Sequence, residues 1–117
     1  MTINQLELKE REVQGAAVID IIGELTTGSD KERLLDIVRK NIEAGRRLLV
    51  IKMGQCRRID SAGIGELVAC LVTATRHDAS LRLSNVPSQI YLIMKITNVL
   101  KSFEVFETEQ AALEKAV

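Results

Sequence analysis

The chain has 117 residues, 46% of them apolar, which predicts a single domain over residues 1–117 with its own core. Sixteen Lys and Arg residues balance sixteen Asp and Glu residues and aromatics are only 3%, which disfavours nucleic acid as a partner. No stretch approaches the roughly eighteen apolar residues of a membrane span and the amino terminus lacks an apolar signal segment, so we expect a cytoplasmic protein with no membrane insertion.

The first part of the chain has the pattern of a hairpin followed by a helix. Residues 6–13 alternate weakly, Gln14-Gly15 is a turn sequence, and residues 17–22 form a β-branched run bounded by Gly23. From Ser29, a suitable N-cap, apolar residues recur at helical spacing until Gly45, which ends the helix.

The second part continues the alternation of strands and helices. It predicts a strand at 48–53, a helix at 61–77, a strand at 80–85, a helix at 87–97, a short edge strand at 103–106 and a helix at 108–116. Such alternation implies right-handed βαβ crossovers. We therefore expect an α/β domain in the order ββαβαβα(β)α, with a mixed, mostly parallel sheet of four to five strands and about four helices.

One junction between a strand and a helix is unusual. Its sequence runs Arg57-Arg58-Ile59-Asp60-Ser61-Ala62-Gly63-Ile64-Gly65-Glu66. Either Asp60 or Ser61 can cap the helix, and Glu66 lies near its positive end. Two glycines weaken a helix by up to about 1 kcal/mol each, so they indicate either local packing or a recognition surface where another molecule approaches the backbone.

These residues carry a family resemblance. Asp60-Ser61-Ala62-Gly63-Ile64-Gly65 resembles the D-S-[SA]-G-[LI]-G motif of the STAS domain of bacterial anti-sigma factor antagonists. The resemblance extends to Gly23-Glu24-Leu25, to Asn85-Val86-Pro87 and to residues 106–113, and so spans nearly the whole chain.

The resemblance implies a phosphorylation switch. The unphosphorylated antagonist would bind an anti-sigma factor serine kinase, and Ser61 would be the residue that this kinase phosphorylates. Phosphorylation would end the complex, and a serine phosphatase would restore it. The antagonist would be a binding protein and not an enzyme, with no cofactor or metal. Its partner surface would comprise Asp60, Ser61, Ala62, Gly63, Ile64, Gly65, Glu24, Thr26, Arg57 and Arg58. The alternative is a non-switching structural subunit of a stress-signalling scaffold or lipid-transport complex.

Several residues depart from the family pattern. Thr26 and Lys52 stand where acidic residues are common, and Arg57 and Arg58 where small or apolar residues are usual. Together these residues predict a surface near Ser61 that is more basic than the family pattern. The two arginines fit a solvated loop, a partner with an acidic face, or stabilisation of a phosphate on Ser61.

Catalytic arrangements fit the sequence poorly. Ser61 and His77 would lie about 24 Å apart along one helix, and Cys70 and His77 about 10 Å apart, which excludes a triad and a shared metal. Gly63-Ile64-Gly65 lacks the frame of a phosphate-binding loop, although nucleotide binding remains open because some STAS domains bind nucleotides. The apolar helix at 87–97, with Tyr91 and Leu92, fits either burial or a partner-binding ridge.

Overall fold

The structure is a computed structural model that describes residues 6–27 and 33–115. The strands are β1 Leu6–Val13, β2 Ala16–Leu25, β3 Leu48–Ile59, β4 Ser80–Ser84 and β5 Glu104–Phe106. The helices are α1 Leu34–Glu43, α2 Ser61–Arg76, α3 Ser88–Ile96 and α4 Glu109–Glu114, with a 3-10 helix at Leu100–Ser102 between α3 and β5.

The strands form one sheet in the order β1-β2-β3-β4-β5. Only β1 runs antiparallel to its neighbour, whereas β2, β3, β4 and β5 pair in parallel. Gln14 and Gly15 join β1 to β2, both with positive φ, as the two central residues of a type I′ hairpin turn require. The α/β class, the mixed sheet and the four helices are therefore confirmed.

Helices cover both faces of the sheet. Side chains alternate along each buried strand, so each strand presents apolar residues to both faces. Ile19 and Ile51 belong to the large core that also holds the buried side chains of α1, α2 and α3. Val18 and Val50 point the other way and pack against Ala112 of α4. The helix that carries the STAS-like motif thus lies on the opposite face from α4.

Several predicted boundaries shift. β2 continues through Gly23 to Leu25, and β3 runs six residues beyond its predicted end at 53, to Ile59, because pairing with β2 extends it. The proposed N-cap Ser29 lies outside the described residues, and Arg33 precedes the first turn of α1 without a side-chain cap. Pro87 is the N-cap of α3 and not its first helical residue.

Candidate functional site

The site predicted from the motif lies where β3 gives way to α2. β2 and β3 pair in parallel up to their ends, with Leu25 opposite Ile59, so the end of β2 is brought beside the start of α2. The backbone N–H of Asp60 donates to the carbonyl oxygen of Leu25 at 3.4 Å. Two segments that are far apart in sequence, residues 24–27 and 57–65, therefore lie together at the carboxyl ends of β2 and β3.

Asp60 is the residue that caps α2. Its backbone is extended, and its Oδ1 accepts a hydrogen bond from the N–H of Gly63 at 2.9 Å. Its Oδ2 accepts from both the backbone N–H and the hydroxyl of Thr27, each at 2.9 Å. The bonds from Thr27, followed by that from Gly63, lower the pKa of Asp60 below its usual range, so the carboxylate is charged at neutral pH.

Ser61 is left without a capping role. It is the first residue of α2, and its side chain is exposed. Within residues 6–27 and 33–115 its hydroxyl has no hydrogen-bond partner. The choice between Asp60 and Ser61 as the cap is thus settled in favour of Asp60, and the hydroxyl faces solvent where another molecule can reach it.

The two glycines of the motif have different surroundings. A Cβ on Gly63 would overlap the backbone carbonyl oxygen of Leu25 and would lie 2.8 Å from Cγ1 of Ile59. Gly65 is exposed, and a Cβ there would meet nothing within 4 Å. Gly63 therefore permits the close approach of β2 to α2, whereas internal packing does not require a glycine at Gly65.

Glu66 acts on a different helix from the one expected. Its Oε2 accepts a hydrogen bond from the N–H of Leu35 at 3.1 Å and lies 3.8 Å from Nε of Arg33. The carboxylate thus caps the first turn of α1 and not of α2. Sequence spacing gave no signal for this contact or for the bonds from Thr27 to Asp60, since both join segments about thirty residues apart.

The basic residues near the motif have different surroundings. Arg57 and Arg58 are exposed at the end of β3, and Arg58 is opposite Glu24 of β2. Lys52 instead lies 3.2 Å from Glu109 of α4. Its charge is engaged on the α4 face, so the expectation that Lys52 makes the Ser61 surface more basic is wrong. Thr26 lies between Leu25 and the Thr27 that binds Asp60.

The groups considered for catalysis lie far from Ser61. His77 follows the last residue of α2, at the opposite end of the helix, and its Nδ1 lies 2.8 Å from the carbonyl oxygen of Thr73. Burial raises the pKa of the Cys70 thiol to about 12, which makes it a poor nucleophile. Among residues 6–27 and 33–115, no three His, Cys, Asp or Glu residues are grouped to hold a metal, and no helix there is long and apolar enough to cross a membrane.

Comparison with known proteins establishes the family. The model of the STAS domain matches residues 7–112, so this chain belongs to the STAS domain family. An anti-sigma factor antagonist from Mycobacterium paratuberculosis superposes with a TM-score of 0.78 at 16% identity, over 94% of this chain and 92% of that one.

Two other solved structures share the fold. The Bacillus cell fate determinant SpoIIAA in its phosphorylated form has a TM-score of 0.69 at 16% identity, covering 94% of this chain and 97% of its own. A sulfate transporter family protein from Wolinella succinogenes has a TM-score of 0.71 at 17% identity, covering 88% and 85%. The fold is thus shared by proteins with different functions, and residue geometry must distinguish between those functions.

Proposed function

We propose that this protein is an anti-sigma factor antagonist that binds an anti-sigma serine kinase in the cytoplasm and is released when that kinase phosphorylates Ser61. A serine phosphatase returns it to the binding form. The protein itself catalyses no reaction. The partner surface comprises Asp60, Ser61, Ala62, Gly63, Ile64 and Gly65 together with Glu24, Thr26, Arg57 and Arg58.

The exposed hydroxyl of Ser61 is the observation that carries this proposal. Because Asp60 caps α2, the Ser61 hydroxyl makes no contact on which the described fold depends. A kinase can therefore modify it without unfolding the helix. The likeness to the phosphorylated form of SpoIIAA supports the proposal at the level of the fold.

Electrostatics gives the expected size of the switch. A phosphate adds roughly 1.5 to 2 negative charges next to the ionised Asp60, and the two groups repel each other. The positive end of the α2 dipole offsets about 0.3 to 1 kcal/mol of this repulsion. A partner carboxylate about 6 Å from a phosphate that carries two charges would be repelled by about 1.4 to 2.8 kcal/mol at an effective dielectric of roughly 40 to 80. Binding would weaken about tenfold to a hundredfold.

Arg57 and Arg58 bear on the direction of this effect. Both are exposed at the end of β3, and neither forms an ion pair with a described carboxylate. They are available for an acidic face of the kinase in the complex. If they reached the phosphate instead, they would stabilise it through charge-assisted bonds and weaken the switch.

The test uses a candidate anti-sigma serine kinase, sought first among the genes that flank this one. With ATP, we expect phosphate on Ser61 by mass spectrometry, no labelling of Ser61→Ala, and at least about tenfold weaker kinase binding by Ser61→Asp in calorimetry. Ser88→Asp is the matched control, because Ser88 is the exposed first residue of α3 and gains the same charge at a helix start. It should bind as the unmodified protein does.

The alternative is a structural STAS subunit of a larger assembly. The exposed apolar residues of α3 favour it, since they indicate a surface that another chain covers. A protein that receives no phosphate on Ser61 and assembles equally well with Ser61→Asp would support this alternative and contradict the switch.

A further inference from the structure

Helix α3 is apolar on nearly all sides although half of it faces solvent. Ile90 and Met94 are buried in the core, but Tyr91, Ile93 and Leu92 are 44%, 36% and 54% exposed. Ile96 is 72% exposed. A helix that is apolar all round is normally enclosed, so the outer side of α3 has the composition of a covered surface.

A groove runs beside this helix. It has a volume of about 410 Å³ and lies between α3, the 3-10 helix and β5. Its apolar lining is supplied by Tyr91, Leu100, Phe103 and Val105. We call it the α3 groove; its size is in the range of sites that accept bulky apolar side chains.

The charge on the α3 groove has one sign. Lys95 and Lys101 line it, and no carboxylate of residues 6–27 or 33–115 does. Neither lysine forms an ion pair with a carboxylate in those ranges. Two unpaired ammonium groups beside an apolar floor are complementary to a segment that carries both acidic and bulky apolar side chains.

A second depression continues from the α3 groove past Tyr91 and Val105. It is also lined by Asn85, Val86, Phe106 and Glu107, and has a volume of about 550 Å³. The two depressions share Tyr91 and Val105, so the concave surface beside α3 extends beyond the α3 groove.

We propose that the α3 groove binds an acidic amphipathic segment of a partner protein, with its apolar side chains against α3 and its carboxylates over Lys95 and Lys101. A concave groove fits a peptide segment better than the flat surface of a bilayer. This interaction is separate from the switch at Ser61.

The experiment titrates a short synthetic helix, with leucines at helical spacing and glutamates on its polar face, into the isotope-labelled protein. We expect saturable NMR shifts confined to the amides of residues 85–107. A peptide with the same leucines but lysines in place of glutamates should bind more weakly. Lys95→Glu combined with Lys101→Glu should weaken binding of the acidic peptide at least about tenfold.

Two control variants give the result its specificity. Arg76→Glu reverses an exposed cation on α2 and should bind normally, as should Ser61→Asp, so a failure here is distinguishable from a failure of the proposed switch. Any of three results would overturn the proposal: equal binding of both peptides, self-association through α3 in light scattering, or binding of phosphatidylserine vesicles without binding of the peptide.

Discussion

Gly63 and Gly65 are two residues apart in one helix, yet the structure assigns them opposite roles. Alanine at Gly63 would force a methyl group into the backbone of Leu25, so we expect Gly63→Ala to lower the free energy of unfolding by about 1 to 3 kcal/mol. Alanine at Gly65 meets open space, so Gly65→Ala should raise it by up to about 1 kcal/mol. Urea denaturation of both variants measures the difference.

The pair provides its own control because the chemical change is identical at both positions. A loss of stability in Gly65→Ala equal to that in Gly63→Ala would contradict the packing described here. If Gly65→Ala folds well but binds the kinase poorly, the glycine is explained by the close approach of the partner, as proposed for this surface.

Asp60 and Ser61 divide the tasks of the motif between them. The carboxylate of Asp60 holds the start of α2 and the end of β2 together through three hydrogen bonds, from Thr27 and Gly63. The Ser61 hydroxyl is not needed for either contact. The phosphate of the proposed switch would join a site that already carries one ionised carboxylate, so a single modification would give a strongly negative surface.

At the scale of elements, α2 organises both of its neighbours through side-chain carboxylates. Asp60 binds Thr27, which follows β2, and Glu66 binds the N–H of Leu35 in the first turn of α1. The starts of α1 and α2 are thus joined by polar contacts as well as by their apolar packing.

The hydrogen bond from Leu35 to Glu66 predicts how a substitution at Glu66 affects α1. Arg33 supplies no side-chain cap to α1, so loss of the Glu66 carboxylate leaves the first turn without one. We expect Glu66→Ala to cost about 0.5 to 2 kcal/mol and to speed amide exchange at Leu35. Glu43→Ala, at the exposed end of α1, is the control and should leave that amide unchanged. Faster exchange confined to α2 would contradict the assignment.

Across the whole molecule, the sequence predicted what depends on local pattern. The helical spacing of Leu67 and Leu71, and the β-branched run ending at Ile22, were sufficient for the element order and the sheet class. The motif located the start of α2 because capping residues lie within one turn of the helix they serve. The same local chemistry left Asp60 and Ser61 as alternative caps, and the role of Ser61 came only from the family resemblance.

Contacts between distant segments could not be predicted in this way. Arg82 lies on the strand predicted at 80–85, yet this charged residue is fully buried and donates to the carbonyl oxygens of Ala112 and Lys115 at 2.7 and 2.8 Å. Lys52 was expected to make the surface near Ser61 more basic, but it binds Glu109. In each case the partner is supplied by the docking of α4, which no spacing within a strand reveals.

Charged contacts add to the apolar packing that holds α4 against the sheet, and they make stability depend on pH. Glu109 accepts hydrogen bonds from Arg11, at 2.7 and 3.2 Å, and from Lys52, at 3.2 Å. These bonds, that of Arg11 foremost, lower the pKa of Glu109 below its ordinary value of 4.5. The unfolded chain therefore binds a proton more readily, and the stabilisation is present above about pH 5 and is lost as the pH falls through the lowered pKa.

Glu109→Gln should expose this contribution. At neutral pH we expect the variant to lose on the order of 1 kcal/mol of stability, because it gives up a charged network that is only partly exposed. As the pH falls from about 4.5 through the lowered pKa of Glu109, the difference from the unmodified protein should shrink, since protonation of Glu109 removes the charge that the variant already lacks. Glu107→Gln removes an exposed carboxylate without touching Arg11 or Lys52, and serves as the control. Thermal unfolding across this pH range measures the difference in stability between Glu109→Gln and the unmodified protein. A difference that stays constant with pH would show that the packing of Glu109, and not its charge, holds α4 to the sheet.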